Sequence, residues 1–299
     1  MNWVRHGNIF NRHHAQVPVV DVNENYWRIY YSKRVDGKSQ PFYIDVEPEN
    51  PSRIITESIH PIVPLGNIGS FDWAGIMPTE LINVNGQKYL YYIGWSNRTD
   101  VPYHNTLGLA VSDDGDNWRK LSTGPIFGTS YKEPGYVGTI SVFKKGDLYY
   151  GYYLSCREWI TVGKRVEPIY DIKIAVSTNA IDWEPTNLTA VELEPGEGGI
   201  SKACVLELGD GYYMWYSVRM ATHYRESPER GYRIKCSFST DLIDWRRIDD
   251  FGLDVDPNSN WENIMVEYPH VFEFNNKLHM FYNGDGFGKT GIGYATLTR

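Results

Sequence analysis

Short runs of apolar residues recur along the whole chain, some alternating with polar positions and some continuous, and Gly-, Asn- and Asp-rich turns interrupt them. Such a period-two pattern predicts strands, and nowhere does an apolar spacing of three and four persist to predict a long helix. Three of the runs, Leu107-Gly-Leu-Ala-Val111, Ile172-Lys-Ile-Ala-Val176 and Ile234-Lys-Cys-Ser-Phe238, lead into a polar stretch closed by tryptophan. It reads Ser112-Asp-Asp-Gly-Asp-Asn-Trp118, then Ser177-Thr-Asn-Ala-Ile-Asp-Trp183, then Ser239-Thr-Asp-Leu-Ile-Asp-Trp245, at spacings of 65 and 62 residues (177 − 112 and 239 − 177). Repeats of that length are whole supersecondary units. Ser, Asp, Asn and Gly bond nearby backbone and tolerate left-handed conformations, so the stretch reads as a hairpin turn rather than a ligand site.

Two further strands open each of five units. Val17-Pro-Val-Val20 is followed by Trp27-Arg-Ile-Tyr-Tyr31, Met77–Ile82 by Tyr89–Ile93, Thr139–Phe143 by Leu148–Tyr153, Ser201–Leu206 by Tyr212–Tyr216, and Glu267–Phe272 by Leu278–Tyr282. Asn85-Gly86, Gly146-Asp147, Asp210-Gly211 and Asn275-Asn276 supply the turns. At the N-terminus Asn2-Trp3-Val-Arg-His-Gly-Asn-Ile-Phe10 matches Asn117–Phe127, the end of a repeat, while Gly291–Leu297 matches a third strand with no tryptophan strand after it. The two ends thus complete one unit and leave no open sheet edge. The expectation is an all-β, five-bladed β-propeller of four-stranded antiparallel blades, one domain over residues 1–299, with innermost strands starting near Ala15, Gly75, Val137, Ile200 and Val266.

Composition narrows the function. Aromatic residues make up 15% of the chain, with 23 Tyr and 10 Trp, which favours strands and suits the faces of sugar rings. A net charge of −8 without any Lys/Arg run argues against nucleic acid and against an anionic membrane as partner. No signal-peptide pattern and no membrane-length apolar run is present, so a soluble, cytoplasmic protein is expected. Cys156, Cys204 and Cys236 are odd in number and lie in strand-like segments, which predicts free buried thiols. No metal or cofactor is predicted: Gly284-Asp-Gly-Phe-Gly288 leads into a strand and reads as a turn, and Asp254–Glu262 reads as a solvated loop rather than a calcium site.

In a propeller the starts of the innermost strands and the loops feeding them meet at one mouth of the central channel. The polar residues so placed are His13, His14 and Gln16; Asp72 and Glu80; Glu133; Glu197, Ser201 and Lys202; and Glu262, Glu267 and His270. Exits of the second strands add Arg34, Trp95, Arg98, Trp159, Arg219, Asn283 and Asp285. Converging carboxylates amid Arg and Trp suit acid/base chemistry on a glycosidic bond, with Trp95 and Trp159 stacking on the sugar. The alternative is that Asp72, Glu80 and Glu133 bond backbone amides at loop corners. Likewise Arg98 and Arg219 read either as clamps for a substrate carboxylate or phosphate, or as ion pairs between blades.

The stretch Glu267-Tyr-Pro-His-Val-Phe-Glu-Phe-Asn-Asn-Lys-Leu-His-Met-Phe-Tyr282 resembles the acid-bearing strand of five-bladed-propeller glycoside hydrolases and their arabinanase, invertase and mannoside-phosphorylase relatives. That resemblance implies Glu267 as general acid, with Asp72 or Glu133 as second carboxylate. Where those enzymes place an Asp just before a Pro in unit one, this chain has Ala15-Gln-Val-Pro18. Two expectations follow: a glycosyl-cleaving or glycosyl-transferring enzyme acting on a carbohydrate or sugar nucleotide, or a sugar-binding propeller without catalysis. More narrowly, Phe71–Pro78, Tyr91–Trp95, Trp215–Arg219 and Tyr282–Gly288 resemble a bacterial branch met among surface-polysaccharide genes.

Overall fold

In a computed structural model that describes residues 2–298, the chain is all-β. After β1 (Val4–Phe10), the first unit holds β2 (Ala15–Val22), β3 (Trp27–Val35), β4 (Lys38–Val46) and β5 (Ile54–Glu57). The second comprises β6 (Gly75–Val84), β7 (Gln87–Ser96), β8 (His104–Ser112) and β9 (Arg119–Lys120). Next come β10 (Val137–Lys145), β11 (Leu148–Val162), β12 (Arg165–Ser177) and β13 (Glu184–Val191), then β14 (Glu197–Leu208), β15 (Gly211–Met220), β16 (Arg233–Ser239) and β17 (Arg246–Leu253). The last unit has β18 (Glu267–Phe274), β19 (Lys277–Asn283) and β20 (Ile292–Thr298). Its fourth strand is β1, which runs antiparallel to β20 from Val4 opposite Thr296 to Phe10 opposite Ile292. Within every unit successive strands pair antiparallel, while units one and two, and units three and four, touch through the parallel pairs Ser39 with Gly75 and Tyr170 with Gly199. The fourth innermost strand starts at Glu197, three residues ahead of the expected Ile200.

The repeated Ser–Trp turn shows why the units have this shape. In each copy the Ser hydroxyl accepts the amide three residues on, at 2.9 Å for Ser112, 2.9 Å for Ser177 and 3.0 Å for Ser239. The Asp or Asn two positions after the Ser accepts two more amides, those of Asp116 and Asn117, Ile181 and Asp182, or Ile243 and Asp244. Those amides hold the Asp114 and Asp241 carboxyls below the usual carboxylate range. The residue that donates to the Ser is left-handed in all three, Gly115 at φ 83°, Ala180 at 61° and Leu242 at 70°. Its carbonyl then faces the preceding unit. Tyr30 reaches Gly115 O at 3.1 Å, Tyr91 reaches Ala180 O at 2.5 Å and Tyr152 reaches Leu242 O at 2.8 Å.

Each turn therefore buttresses its neighbour, and the core follows the same logic. Buried side chains group between adjacent units: Val19, Tyr30 and Leu90 join one to two, Tyr91, Val137 and Tyr153 two to three, and Tyr152, Ile174 and Met214 three to four. Trp215 and Met280 join four to five, and Trp27, Phe281 and Phe10 join five back to one. Cys156, Cys204 and Cys236 are free and buried, and burial pushes the thiols of Cys156 and Cys204 up to about 11.

Candidate functional site

The innermost strands β2, β6, β10, β14 and β18 share a defect. Each shifts register against its neighbour at the same point, between Gln16 and Val19, Pro78 and Glu80, Val137 and Ile140, Ser201 and Cys204, and Glu267 and His270. A bulge re-aims the side chains around it. In three of the strands the bulge residue is left-handed, Val17 at φ 55°, Lys202 at 52° and Tyr268 at 56°. The last paired residues before the shift are Gln16, Pro78, Val137, Ser201 and Glu267, opposite Ser32, Tyr92, Ser155, Ser217 and Asn283. Of these five residues one is ionisable.

Above the bulges opens a cavity of about 390 Å³, within the size range of ligand pockets. His14, Gln16, Arg34, Met77, Trp95, Tyr103, Tyr170, Tyr224, Arg225, Tyr232, Tyr268 and Phe287 are among its lining residues. It continues past Met77, Trp95 and Tyr268 into a narrower space of about 80 Å³ that reaches Val17, Asn105, Thr139 and Ser201. The walls are aromatic: Trp95 packs on Tyr103 with ring centroids 4.7 Å apart, and Trp159 backs Tyr103 at 5.3 Å and Tyr136 at 5.7 Å. Several polar atoms here are buried without a protein partner, namely Gln16 Oε1, Trp95 Nε1, Asn105 Oδ1 and Ser201 Oγ.

Glu267 is wholly buried, and neither carboxyl oxygen completes a hydrogen bond. Burial pushes its pKa well above the ordinary value of 4.5, with the Asp285 carboxylate adding to the rise while Tyr268, Arg225 and the Phe287 amide pull the other way. Tyr268 and Phe287, the residues against it, both line the cavity.

Asp72 and Glu133 occupy different surroundings. Asp72 accepts Tyr92 Oη at 3.1 Å and Lys120 Nζ at 2.5 Å; Glu133 accepts Tyr153 Oη at 2.7 Å, Lys173 Nζ at 2.9 Å and the Ser155 hydroxyl. Glu262 repeats the arrangement with Tyr282 Oη at 2.8 Å and Arg5 at 3.4 Å. These are corner posts, in which a carboxylate ahead of an innermost strand takes a tyrosine from the second strand and a cation from further out. Like Glu267, none of the three is among the residues that line the cavity, but Glu267 directly precedes Tyr268, which is. Glu80, Lys202 and His270 lie together beyond the bulges: Glu80 caps the Leu81 amide at 3.0 Å, while Lys202 Nζ and His270 Nδ1 are buried without a protein partner. Burial, then the Lys202 charge, hold His270 well below its usual pKa, and burial raises that of Glu80 against the pull of Lys202.

Two residues expected to face substrate instead secure the backbone. Asn283 donates to Ala15 O and Gly291 O at 2.7 and 2.8 Å and accepts the Val17 amide at 2.8 Å; Asp285 accepts the amides of Ile264 and Met265 at 2.8 and 2.9 Å. Arg98 is exposed and pairs with Asp100 at 3.1 Å in an outer groove. Arg219 lies behind the tyrosine wall, donating to Tyr170 Oη, Met220 O and Pro168 O. His14 does line the cavity, its Nε2 3.0 Å from Phe287 O, and burial lowers its pKa. Sequence reasoning missed Tyr103, Tyr170, Tyr224, Arg225, Tyr232, Tyr268 and Phe287. A signal was available for some, since the segments joining second to third strands are long at 97–103, 221–232 and 284–291, and Tyr103, Tyr224, Arg225, Tyr232 and Phe287 come from them.

Set beside known proteins, this architecture is a glycoside hydrolase-like propeller fold. A solved glycoside hydrolase matches 99% of the chain and 92% of its own length at a TM-score of 0.74 and 18% identity. The β-1,2-mannobiose phosphorylase of Listeria innocua, solved in complex with β-1,2-mannobiose, matches 100% of the chain and 97% of its own at 0.72 and 13%. At such identities the likeness is one of fold. In sequence the chain is 30% identical over 311 residues to the uncharacterized protein MT1551 of Mycobacterium tuberculosis, covering 99% of both, and it belongs to that protein's family. No family model matches the chain.

Proposed function

We propose that the five units are the blades of one closed five-bladed propeller, and that the protein is a carbohydrate-active enzyme cleaving or transferring a glycosyl unit in the axial cavity. Glu267 is the proton donor. The observation that carries this reading is a single carboxyl among the residues that lead into the five bulges, wholly buried and short of partners beside an aromatic cavity. A carboxyl whose pKa burial raises in this way holds its proton to higher pH and delivers it to the oxygen of a departing sugar as the glycosidic bond breaks. The structural relatives include a hydrolase and a phosphorylase, which supports a reaction at a glycosidic bond without naming the sugar. A surface polysaccharide or its nucleotide-linked precursor fits the sequence resemblance.

A second reading, a sugar-binding propeller without catalysis, is favoured by the absence of a partner carboxylate: Gln16 occupies the unit-one position, and Asp72 and Glu133 are committed to corner posts. Product release from a panel of oligosaccharides, glycosides and nucleotide sugars separates the two. The enzyme reading expects turnover that disappears in Glu267→Gln while the fold and ligand binding persist. Sugar binding without turnover in wild type supports the second reading, and equal turnover in both proteins removes Glu267 from the role.

A further inference from the structure

The charged side chains that line the axial cavity are Arg34 and Arg225, with His14 able to become charged; no Asp or Glu is in that lining, and the carboxylate of Glu167, outside it, pairs with Arg225. This lining is the opposite of the chain as a whole, which carries a net charge of −8. Arg34 is exposed at the end of the β3–β4 hairpin, and among the described residues its one hydrogen bond is long, 3.4 Å to Gly37 O. Arg225 puts Nε and Nη2 on Glu167 at 3.2 and 2.9 Å and Nη2 also on Tyr224 Oη at 2.6 Å, which leaves Nη1. Behind the wall, Arg219 is 1% exposed and pairs with no carboxylate among the described residues. Its guanidinium stacks on the rings of Tyr224 and Tyr170, 4.0 and 4.8 Å from their centroids, and both rings line the cavity.

A buried guanidinium satisfied by neutral acceptors alone keeps its full charge, and in an aromatic wall that charge is felt across the cavity. Glu167, which pairs with Arg225, offsets part of it, and burial disfavours the ionised form of Glu267. The cavity is thus an aromatic-walled space with a cationic lining in an acidic protein. Resting on the carbohydrate reading above, we propose that the axial site takes an anionic ligand, a carboxylate- or phosphate-bearing sugar, whose acidic group sits at Arg34 and the free edge of Arg225 while its ring packs on Trp95 and Tyr103. Arginine suits the task, since its planar fork matches a carboxylate or phosphate with two parallel hydrogen bonds.

The same chemistry has two sources, the sugar's own acid or a free inorganic anion, and binding distinguishes them. Glucose, glucuronate, glucuronate methyl ester and inorganic phosphate are titrated separately against the wild type and Arg34→Gln, read by tryptophan fluorescence and thermal shift. Arg34 is exposed, so its replacement is expected to leave the fold intact. The proposal expects glucuronate to bind at least tenfold more tightly than glucose or the ester, and to lose at least tenfold in Arg34→Gln while glucose is unchanged. Phosphate binding alone, also lost in Arg34→Gln, places the anion on a separate co-substrate and keeps the site cationic by design. Equal binding of glucose and glucuronate, indifference of both anions to Arg34→Gln, or no anion binding overturns it. Because these are binding measurements, their outcome is independent of whether Glu267→Gln abolishes turnover.

Discussion

Two groups of buried carboxylates, a few residues apart in their respective units, meet opposite fates. Asp72, Glu133 and Glu262 each sit in a corner with a tyrosine hydroxyl and a cation supplied to them. Glu267 stands at the start of an innermost strand, and neither of its oxygens completes a hydrogen bond. A carboxylate with its partners in place helps hold its own unit together; one deprived of them is costly as an anion, and its pKa rises. Burial alone does not separate a structural acid from a chemical one, since all are nearly inaccessible. Partner count does.

The comparison breaks most readily at Glu267. Replacement by Gln is expected to lower turnover by on the order of 10²–10⁴-fold, the range for loss of a general acid, checked by initial rates on whichever substrate the panel identifies. Glu133→Gln should act on stability rather than on ligand binding. It leaves Lys173, Tyr153 and Ser155 facing an uncharged amide and costs about 3 kcal/mol, read by urea unfolding, because breaking a buried ion pair strands the remaining charge. Tyr91→Phe, which removes the hydrogen bond to Ala180 O between units two and three, should cost about 1 kcal/mol in the same assay.

The smallest effect carries the sign of the Glu267 shift. A carboxyl whose folded pKa is raised contributes stability that is fully present below its unfolded value of about 4.5 and is lost as pH rises toward the folded value. Gln does not titrate. Glu267→Gln should therefore gain on the wild type in melting temperature as pH rises from 4.5, and a difference independent of pH would contradict the burial argument.

Much of the fold was legible because its signals are local and repeated. The Ser112, Ser177 and Ser239 turns announce themselves three times, and their Asp and Asn residues bond the backbone they were expected to bond. The β1–β20 pairing was equally readable from the half-repeats at the two ends. Side-chain partners were not. Lys120 and Lys173 reach Asp72 and Glu133 from strands about 40 to 50 residues later, and no local pattern says which acid a distant lysine will find. The cavity wall was hidden for a related reason: Tyr224, Arg225 and Phe287 come from inserted segments outside the repeat, where periodicity carries no information. Asn283 and Asp285 stand beside the cavity in sequence logic, yet backbone amides and carbonyls left open by neighbouring loops claim them first.

The protonation of Glu267 is the claim on which the rest depends, and it can be observed directly by following the ¹³Cδ resonance of Glu267 through a pH titration, assigned by its loss in Glu267→Gln. The expected result is a midpoint well above 4.5. A midpoint at the ordinary value would show a solvated or partnered carboxylate and would contradict the assignment of Glu267 as proton donor.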